Sequence, residues 1–71
     1  MTGRVVAWFP ERGFGKIYHQ GADRRGFFCH ASDLVEVLAL TPGQLVEFTP
    51  VETTRGPRAV DVRPLAGWDA R

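Results

Sequence analysis

The hexapeptide Arg12-Gly13-Phe14-Gly15-Lys16-Ile17 constrains the fold of this chain most strongly, because two glycines bracket a phenylalanine. Glycine has no Cβ, so Gly13 and Gly15 allow a tight turn and leave room beside a large ring. In a β-strand, successive side chains point to opposite faces. Phe14 and Lys16 would then share one face, and the intervening Gly15 would lie on the other. The pattern predicts a strand with one apolar face for a core and one face that presents a ring beside a cation.

A second short stretch, Phe27-Phe28-Cys29-His30, has the same two-sided character. Alternation places Phe28 and His30 on one face and the other two residues opposite. Flat rings beside positive charge suit a single-stranded nucleic acid, because bases stack on the rings while phosphates meet the cations. The alternative interpretation is that Phe14 and Phe28 are ordinary core residues, since phenylalanine is usually buried.

Five segments rich in β-branched and aromatic residues alternate with turn signals along the chain. The predicted strands are Gly3 to Phe9, Phe14 to Tyr18, Phe27 to His30, Leu45 to Val51 and Ala59 to Arg63. Ser32 could cap a single helical turn after the third strand. Residues 35–40 are compatible with either a short helix or a packed loop. The pattern predicts an all-β protein, a small five-stranded antiparallel barrel, because closing the sheet removes exposed edges.

Alternation also divides the side chains between the interior of this barrel and its surface. The predicted core is Val5, Ile17, Phe27, Cys29, Leu34, Val46, Phe48, Val60 and Val62. The predicted outer face of the first three strands carries Trp8, Phe14, Lys16, Phe28 and His30. If these strands pair in sequence, the outer residues form one contiguous patch. Soluble monomers rarely leave such a patch without a ligand.

The length of 71 residues suits one small domain, which we place at residues 1–65, with a tail at residues 66–71. The net charge of +1 is nearly neutral, so nucleic-acid binding would depend on where the cations cluster rather than on their sum. The lone Cys29 excludes an internal disulfide and argues against a cysteine-rich zinc site. No apolar run is long enough to span a bilayer, and no signal-peptide pattern is present. We therefore expect a cytoplasmic, monomeric protein without membrane association.

Residue patterns typical of enzymes are missing from the sequence. Cys29 and His30 are adjacent, so in a strand they point to opposite faces and cannot form a nucleophile–base pair with each other. There are no paired carboxylates, no phosphate-binding loop and no cluster with metal-ligand spacing. We expect no catalytic residues, no metal and no cofactor.

With these segments in place, the sequence resembles the cold-shock domain, a nucleic-acid-binding member of the oligonucleotide/oligosaccharide-binding (OB) barrels. The segment 12–17 looks like the family's first ribonucleoprotein motif and the segment 27–30 like its second. Gly43 with Val46 and Phe48 is similar to the fourth strand, and residues 56–62 are similar to the closing segment. The resemblance covers Gly3 to Leu65. It implies an OB-fold barrel that binds single-stranded RNA and DNA with little sequence selectivity, as an RNA chaperone or a regulator of transcription or translation.

The leading hypothesis is therefore a single-strand nucleic-acid-binding module. The candidate stacking groups are Trp8, Phe14, Phe28 and His30, and the candidate phosphate contacts are Arg12, Lys16, Arg55 and Arg58. The second hypothesis is a protein-interaction module that uses the same patch on the same barrel. Aromatic residues and arginine are also typical of protein interfaces, so composition does not separate the two hypotheses.

Several positions depart from the family pattern. Family members usually carry an aromatic residue at the position of Lys16 and another at the position of Ala31. An ungapped match places Ala7 at the usual tryptophan and Trp8 at the phenylalanine that follows it. A one-residue gap in the first turn would instead restore Trp8 to the tryptophan position. We take the ungapped match, with Trp8 outward by simple alternation. A binding face with fewer aromatic rings predicts weaker binding of nucleic acid, since each stacked base contributes about 1–3 kcal/mol.

Overall fold

The strands form where β-branched and aromatic residues alternate, and they close into one barrel. The structure is a computed structural model that describes residues 1–21 and 25–65. The strands are β1 (Thr2–Phe9), β2 (Phe14–His19), β3 (Gly26–His30), β4 (Leu45–Thr53) and β5 (Gly56–Pro64). Their order around the closed barrel is β1-β2-β3-β5-β4. The predicted all-β, five-stranded OB-fold barrel is confirmed, while the predicted tail at residues 66–71 lies outside the described residues.

The seam between β3 and β5 is parallel, whereas the other neighbouring strands pair antiparallel as predicted. Within the described residues, Phe28 and Arg58 are the single Cα pair of this seam. A further parallel bridge joins Leu34 to Val62, and the Val35 N–H donates a hydrogen bond of 2.7 Å to the Val62 carbonyl. Because backbone pairing between β3 and β5 is so short, side-chain contacts have to hold these two strands together.

A 3-10 turn at Ala31–Asp33 follows β3. The sequence predicted such a turn, but the prediction that Ser32 caps it was wrong. The cap is His30, because a capping residue precedes the first turn residue and Ser32 lies inside the turn. Residues 35–40 form an irregular loop that buries Leu40 in the core. None of the helical segments in the described part of the chain is long and apolar enough to cross a membrane.

Buried apolar side chains from all five strands and the loop fill the barrel. They are Val5, Ile17, Phe27, Cys29, Leu40, Val46, Phe48, Ala59 and Val62. The predicted core is confirmed except at two positions. Leu34 packs against the core from a partly buried position. Val60 is only half-buried, and its neighbour Ala59 is fully buried in its place.

A β-bulge explains the error at Val60. In β5, Asp61 and Val62 lie opposite the single residue Phe48, so β5 carries one extra residue. Asp61 adopts a positive φ of 50° at this point. An extra residue inverts the alternation beyond it. Ala59 and Val62 therefore both face the core although they are three positions apart.

Substitutions on the two sides of this bulge are expected to differ in their effect on stability. We expect Val62→Ala to lower the free energy of unfolding by about 2 kcal/mol, because it deletes buried methyl groups and leaves a cavity. Val46→Ala should behave similarly. Val60→Ala removes the same atoms from a half-buried site and is the matched control, with an expected loss less than half as large. Urea denaturation of the variants measures the difference, and equal losses at Val60 and Val62 would contradict the position of the bulge.

Candidate nucleic-acid interface

The outer faces of β2 and β3 carry the side chains that alternation predicted there. Phe14 lies opposite His30, and Lys16 lies opposite Phe28. Phe28 is 42% exposed, and Lys16 and His30 are exposed as well. Phe14 is half-buried between neighbouring rings. The interpretation of Phe14 and Phe28 as ordinary core residues is therefore wrong, since both lie on the outer surface of the sheet.

Trp8 does not point outward, and that prediction was wrong. The strand β1 has a bulge between Val5 and Ala7, and the extra residue inverts the alternation. Trp8 therefore lies opposite Gly15 and packs against the core, with its Nε1 buried and without a hydrogen-bond partner among the described residues. Its indole uses the room that the glycine leaves, because a Cβ at Gly15 would lie 2.6 Å from the Trp8 Cε3 atom. The stacking role predicted for Trp8 depended on an outward ring, and we do not place Trp8 in the interface.

Phe9 takes the outward position instead, opposite Phe14. Phe9 is 48% exposed, and its ring centroid lies 5.4 Å from that of Phe14. Phe14 in turn lies 5.5 Å from Phe28. These separations are typical of favourable aromatic pairs. Phe9, Phe14 and Phe28 thus form a continuous row of three rings, which we call the aromatic ladder. The one sequence signal for this arrangement was Gly15, which leaves space for a large side chain from the neighbouring strand.

The turn between β1 and β2 places Arg12 at the end of the ladder. The Phe9 carbonyl accepts hydrogen bonds from the N–H groups of Arg12 and Gly13, at 3.0 and 2.8 Å. Gly13 has a φ of 72°, a conformation that glycine adopts without strain. Its carbonyl accepts a hydrogen bond of 2.7 Å from Ala31, so the turn is fastened to the end of β3.

Three of the predicted phosphate contacts are exposed cations, namely Arg12, Lys16 and Arg55. None of the three forms an ion pair with another residue in the ranges 1–21 and 25–65. Their charges are therefore not neutralised within the described structure. The arrangement can offer positive charge to an anion that lies across the aromatic ladder.

A groove of about 580 Å³ joins the ladder to the turn between β4 and β5. Its lining includes Phe28, His30, Ser32, Arg55 and Arg58. The barrel thus brings together predicted site residues that are far apart in the sequence. The binding roles of these residues stay predictions.

Arg58 lies in this groove, but its guanidinium is already engaged. Its Nε and Nη2 atoms donate to the Asp33 carboxylate at 3.0 and 2.8 Å, and Asp33 is buried. The hydrogen bond to Asp33 and the charge of that residue raise the pKa of Arg58. Arg58 therefore has a structural role that the sequence did not reveal, because its partner is 25 positions away.

The imidazole of His30 is held in one orientation. Its Nδ1 accepts a hydrogen bond of 3.1 Å from the Ser32 N–H and lies 3.0 Å from the Ser32 hydroxyl. An accepting Nδ1 leaves the proton of the neutral ring on Nε2. His30 can therefore stack against a base and donate a hydrogen bond from Nε2.

Cys29 faces the interior, on the side of the strand opposite to His30. Burial, and secondarily the charge of Asp33, raises the pKa of its thiol to about 12. The thiolate is the reactive form of cysteine, so this thiol is a poor nucleophile at neutral pH.

Comparison with known proteins gives matches across the barrel. The family model of the 'Cold-shock' DNA-binding domain matches residues 1–65. Cold shock-like protein CspC of Bacillus cereus is 39% identical over 67 residues, which cover 92% of this chain and 100% of the relative. The cold shock-like protein of Aquifex aeolicus is 39% identical over 64 residues, covering 86% of this chain and 90% of the relative. Because the matches span nearly the full length on both sides, the similarity concerns the whole barrel rather than one local motif.

Proposed function

Because the chain belongs to the cold-shock DNA-binding domain family, we propose that it binds single-stranded RNA or DNA, with low sequence specificity, through the outer face of β1, β2 and β3. Nucleic-acid binding follows from the family itself. The preference for unpaired strands, the low specificity and the residues involved are our inference. The observation that carries this inference is the aromatic ladder of Phe9, Phe14 and Phe28, which lies on the barrel surface beside Lys16.

The ladder favours unpaired strands because stacking requires access to the face of a base. In a duplex each base face is covered by the neighbouring base pairs, whereas in a single strand it is available to aromatic side chains. The ring centroids of the ladder are 5.4 and 5.5 Å apart, so successive rings present a continuous apolar surface. The exposed cations Arg12, Lys16 and Arg55 can meet the phosphates that connect the stacked bases.

Low specificity follows from the same chemistry. Every base has a π-face, so stacking tolerates all sequences. Readout of sequence needs hydrogen bonds to base edges. His30, beside the aromatic ladder, is one group that can provide such a bond, through its Nε2.

Binding of unpaired strands suggests a biological role. A protein that binds the unpaired form shifts the equilibrium away from base-paired structure by mass action. This effect supports a role as an RNA chaperone or as a regulator of transcription or translation. A cytoplasmic location and a monomeric state are part of the proposal.

Titration of fluorescently labelled oligonucleotides with the protein tests the proposal through fluorescence anisotropy at two salt concentrations. We expect single strands to bind more tightly than a hairpin of the same composition, and we expect affinity to fall as salt rises. Absence of binding to any oligonucleotide at low salt would contradict the proposal. It would favour a protein partner for the same aromatic surface.

Substitutions at Lys16 test how much charge and base stacking each contribute to the affinity for an oligonucleotide. Lys16 is exposed between Ala7 and Phe28, so a ring at this position would extend the ladder sideways. We expect Lys16→Phe to tighten binding to pyrimidine-rich single strands, because stacking contributes about 1–3 kcal/mol per base. The slope of log affinity against log salt should decrease by about 0.7 because one phosphate contact is lost.

Lys16→Ala is the matched control for this experiment. It removes the same charge without adding a ring, so the salt slope should decrease similarly while binding becomes weaker. If Lys16→Phe changes neither the affinity nor the salt slope, position 16 lies outside the interface.

A further inference from the structure

The outer face of β2 continues beyond the aromatic ladder to Tyr18. Alternation along β2 puts Phe14, Lys16 and Tyr18 on the same face of the sheet. Tyr18 lies opposite Arg4 on β1 and opposite Gly26 on β3. It is 42% exposed, the same fraction as Phe28 in the ladder. The sheet therefore presents one further aromatic ring in line with the ladder, which neither the sequence nor the family resemblance assigned to the interface.

Gly26 allows the Tyr18 ring to lie over β3. A Cβ at Gly26 would be 3.1 Å from the Tyr18 Cε1 atom and 3.4 Å from Cδ1. The ring thus occupies the space in which another residue would carry its side chain. The same hypothetical Cβ would lie 3.5 Å from the Lys16 Cε atom, so the lysine stem runs alongside the tyrosine ring. This packing supports the ring from the sheet side and leaves the remainder of it open to solvent.

A groove of about 500 Å³ lies beside this ring. It is lined by Arg4, Val6, Tyr18, His19, Gln20 and Gly21. The bulge in β1 contributes to it, because Val6 is the extra residue and is 48% exposed. The groove combines an apolar side chain and an aromatic ring, against which a base could pack, with polar groups at its edge.

Arg4 supplies a cation at the edge of the groove. Its Nη1 donates a hydrogen bond of 2.8 Å to the Gly43 carbonyl. This contact fixes the side chain, while a guanidinium has five N–H donors in all and so keeps others for a phosphate. Arg4 forms no ion pair with an acidic residue in the described ranges of the chain.

We propose that Tyr18 and Arg4 form an additional nucleotide subsite, in which a base stacks on Tyr18 and Arg4 contacts the adjacent phosphate. The inference rests on the proposed function, since it extends the surface along which we propose that the nucleic-acid strand binds. We call this surface the binding track. Residues two apart in a strand are about 7 Å apart, so Tyr18 stands one row beyond Lys16 and two rows beyond Phe14. The subsite therefore lengthens the track by one nucleotide.

Binding of oligothymidylates that increase in length by single nucleotides tests the subsite. The wild-type affinity should rise until the track is full. For Tyr18→Ala the affinity should stop rising one nucleotide earlier, with binding of long oligonucleotides weakened about fivefold or more and binding of the shortest ones unchanged. Tyr18→Phe keeps the ring and is the matched control, with affinity like the wild type at every length. Arg4→Gln should reduce the salt slope by about 0.7 with long oligonucleotides only.

Nuclear magnetic resonance gives a second readout on the unaltered protein, because Tyr18 is the only tyrosine in the chain. Its ring resonances should shift upfield with a long oligothymidylate and stay unchanged with a short one. If Tyr18→Ala binds like the wild type at every length while Phe14→Ala binds more weakly, the additional subsite is wrong and the proposed function stands. If the wild type binds no oligonucleotide at all, the proposed function fails and the subsite with it.

Discussion

Replacing Phe14 or Phe28 by alanine is expected to weaken binding of a single-stranded oligonucleotide by about 1–3 kcal/mol for each ring, roughly five- to 150-fold in Kd. Each substitution removes one surface on which a base can stack. Phe14 is the central ring of the aromatic ladder, with neighbours at 5.4 and 5.5 Å, so its loss also interrupts the continuous apolar surface. Anisotropy titration with one labelled oligothymidylate at constant salt measures both variants.

Circular dichroism must accompany the titration, because Phe14 is half-buried and contributes aromatic contacts to the fold as well. Glu47→Gln is a suitable control, since Glu47 is exposed on β4 and pairs with Thr2, at the end of β1 opposite to Phe9. It should leave both Kd and melting temperature nearly unchanged. Folded Phe14→Ala and Phe28→Ala variants that bind as tightly as the wild type would remove the ladder from the interface.

The same titration distinguishes Phe9 from its neighbour Trp8. Phe9 is an outward ring of the ladder, so Phe9→Ala should weaken binding with little loss of stability. Trp8 packs against the core, so Trp8→Ala should lower stability first and change binding only through the fold. The opposite result would place the bulge of β1 elsewhere.

The contrast between these two residues shows how far alternation could predict the interface. The pairing of β2 with β3 contains no bulge, so the alternation of side chains is regular in both strands. It therefore predicted the correct face for Phe14, Lys16, Phe28 and His30. In β1 the bulge after Val5 inverts that period, and the assignment of Trp8 failed. Nothing in the local sequence marks the bulge. Bulges bend and twist strands so that a sheet can close, and closure is a property of the whole barrel rather than of one segment.

The roles of charged residues were harder to predict than the strands, because they depend on distant partners. Arg58 was predicted as one of four phosphate contacts. The barrel places it beside the buried Asp33, to which no pattern in the sequence connects it. Lys16 and Arg55 have no such partner in the described part of the structure, and their role as phosphate contacts stays a prediction.

Asp33 is expected to be the polar residue on which the stability of the barrel depends most. Its carboxylate accepts two hydrogen bonds from Arg58 on β5 and one of 3.1 Å from the N–H of His30 at the end of β3. It therefore fastens the parallel seam, where backbone pairing is confined to Phe28 and Arg58 among the described strand residues. Asp33 is 9% exposed, so water can replace few of these bonds.

We expect Asp33→Ala to lower the free energy of unfolding by about 3 kcal/mol, because it removes charged hydrogen bonds at a buried site and leaves the His30 N–H without its acceptor. A domain of this size is stable by only about 4–10 kcal/mol in total. The melting temperature should therefore fall by about 12–24 °C. Glu11→Ala removes an exposed acid from the first turn and is the control, with an expected change within about 0.5 kcal/mol.

A double-mutant cycle with Arg58→Met identifies the partner of Asp33. Alone, Arg58→Met leaves a buried carboxylate without its counter-ion and should be strongly destabilising. In the Asp33→Ala background the same substitution should have a much smaller effect, since the ion pair is already gone. Urea denaturation of the single and double variants gives the coupling energy, with Asp33→Asn in place of Asp33→Ala if the alanine variant does not fold. Additive losses would show that Arg58 does not stabilise the seam through Asp33. Arg58 would then be available to a phosphate, and its substitution should instead reduce the salt slope of oligonucleotide binding by about 0.7.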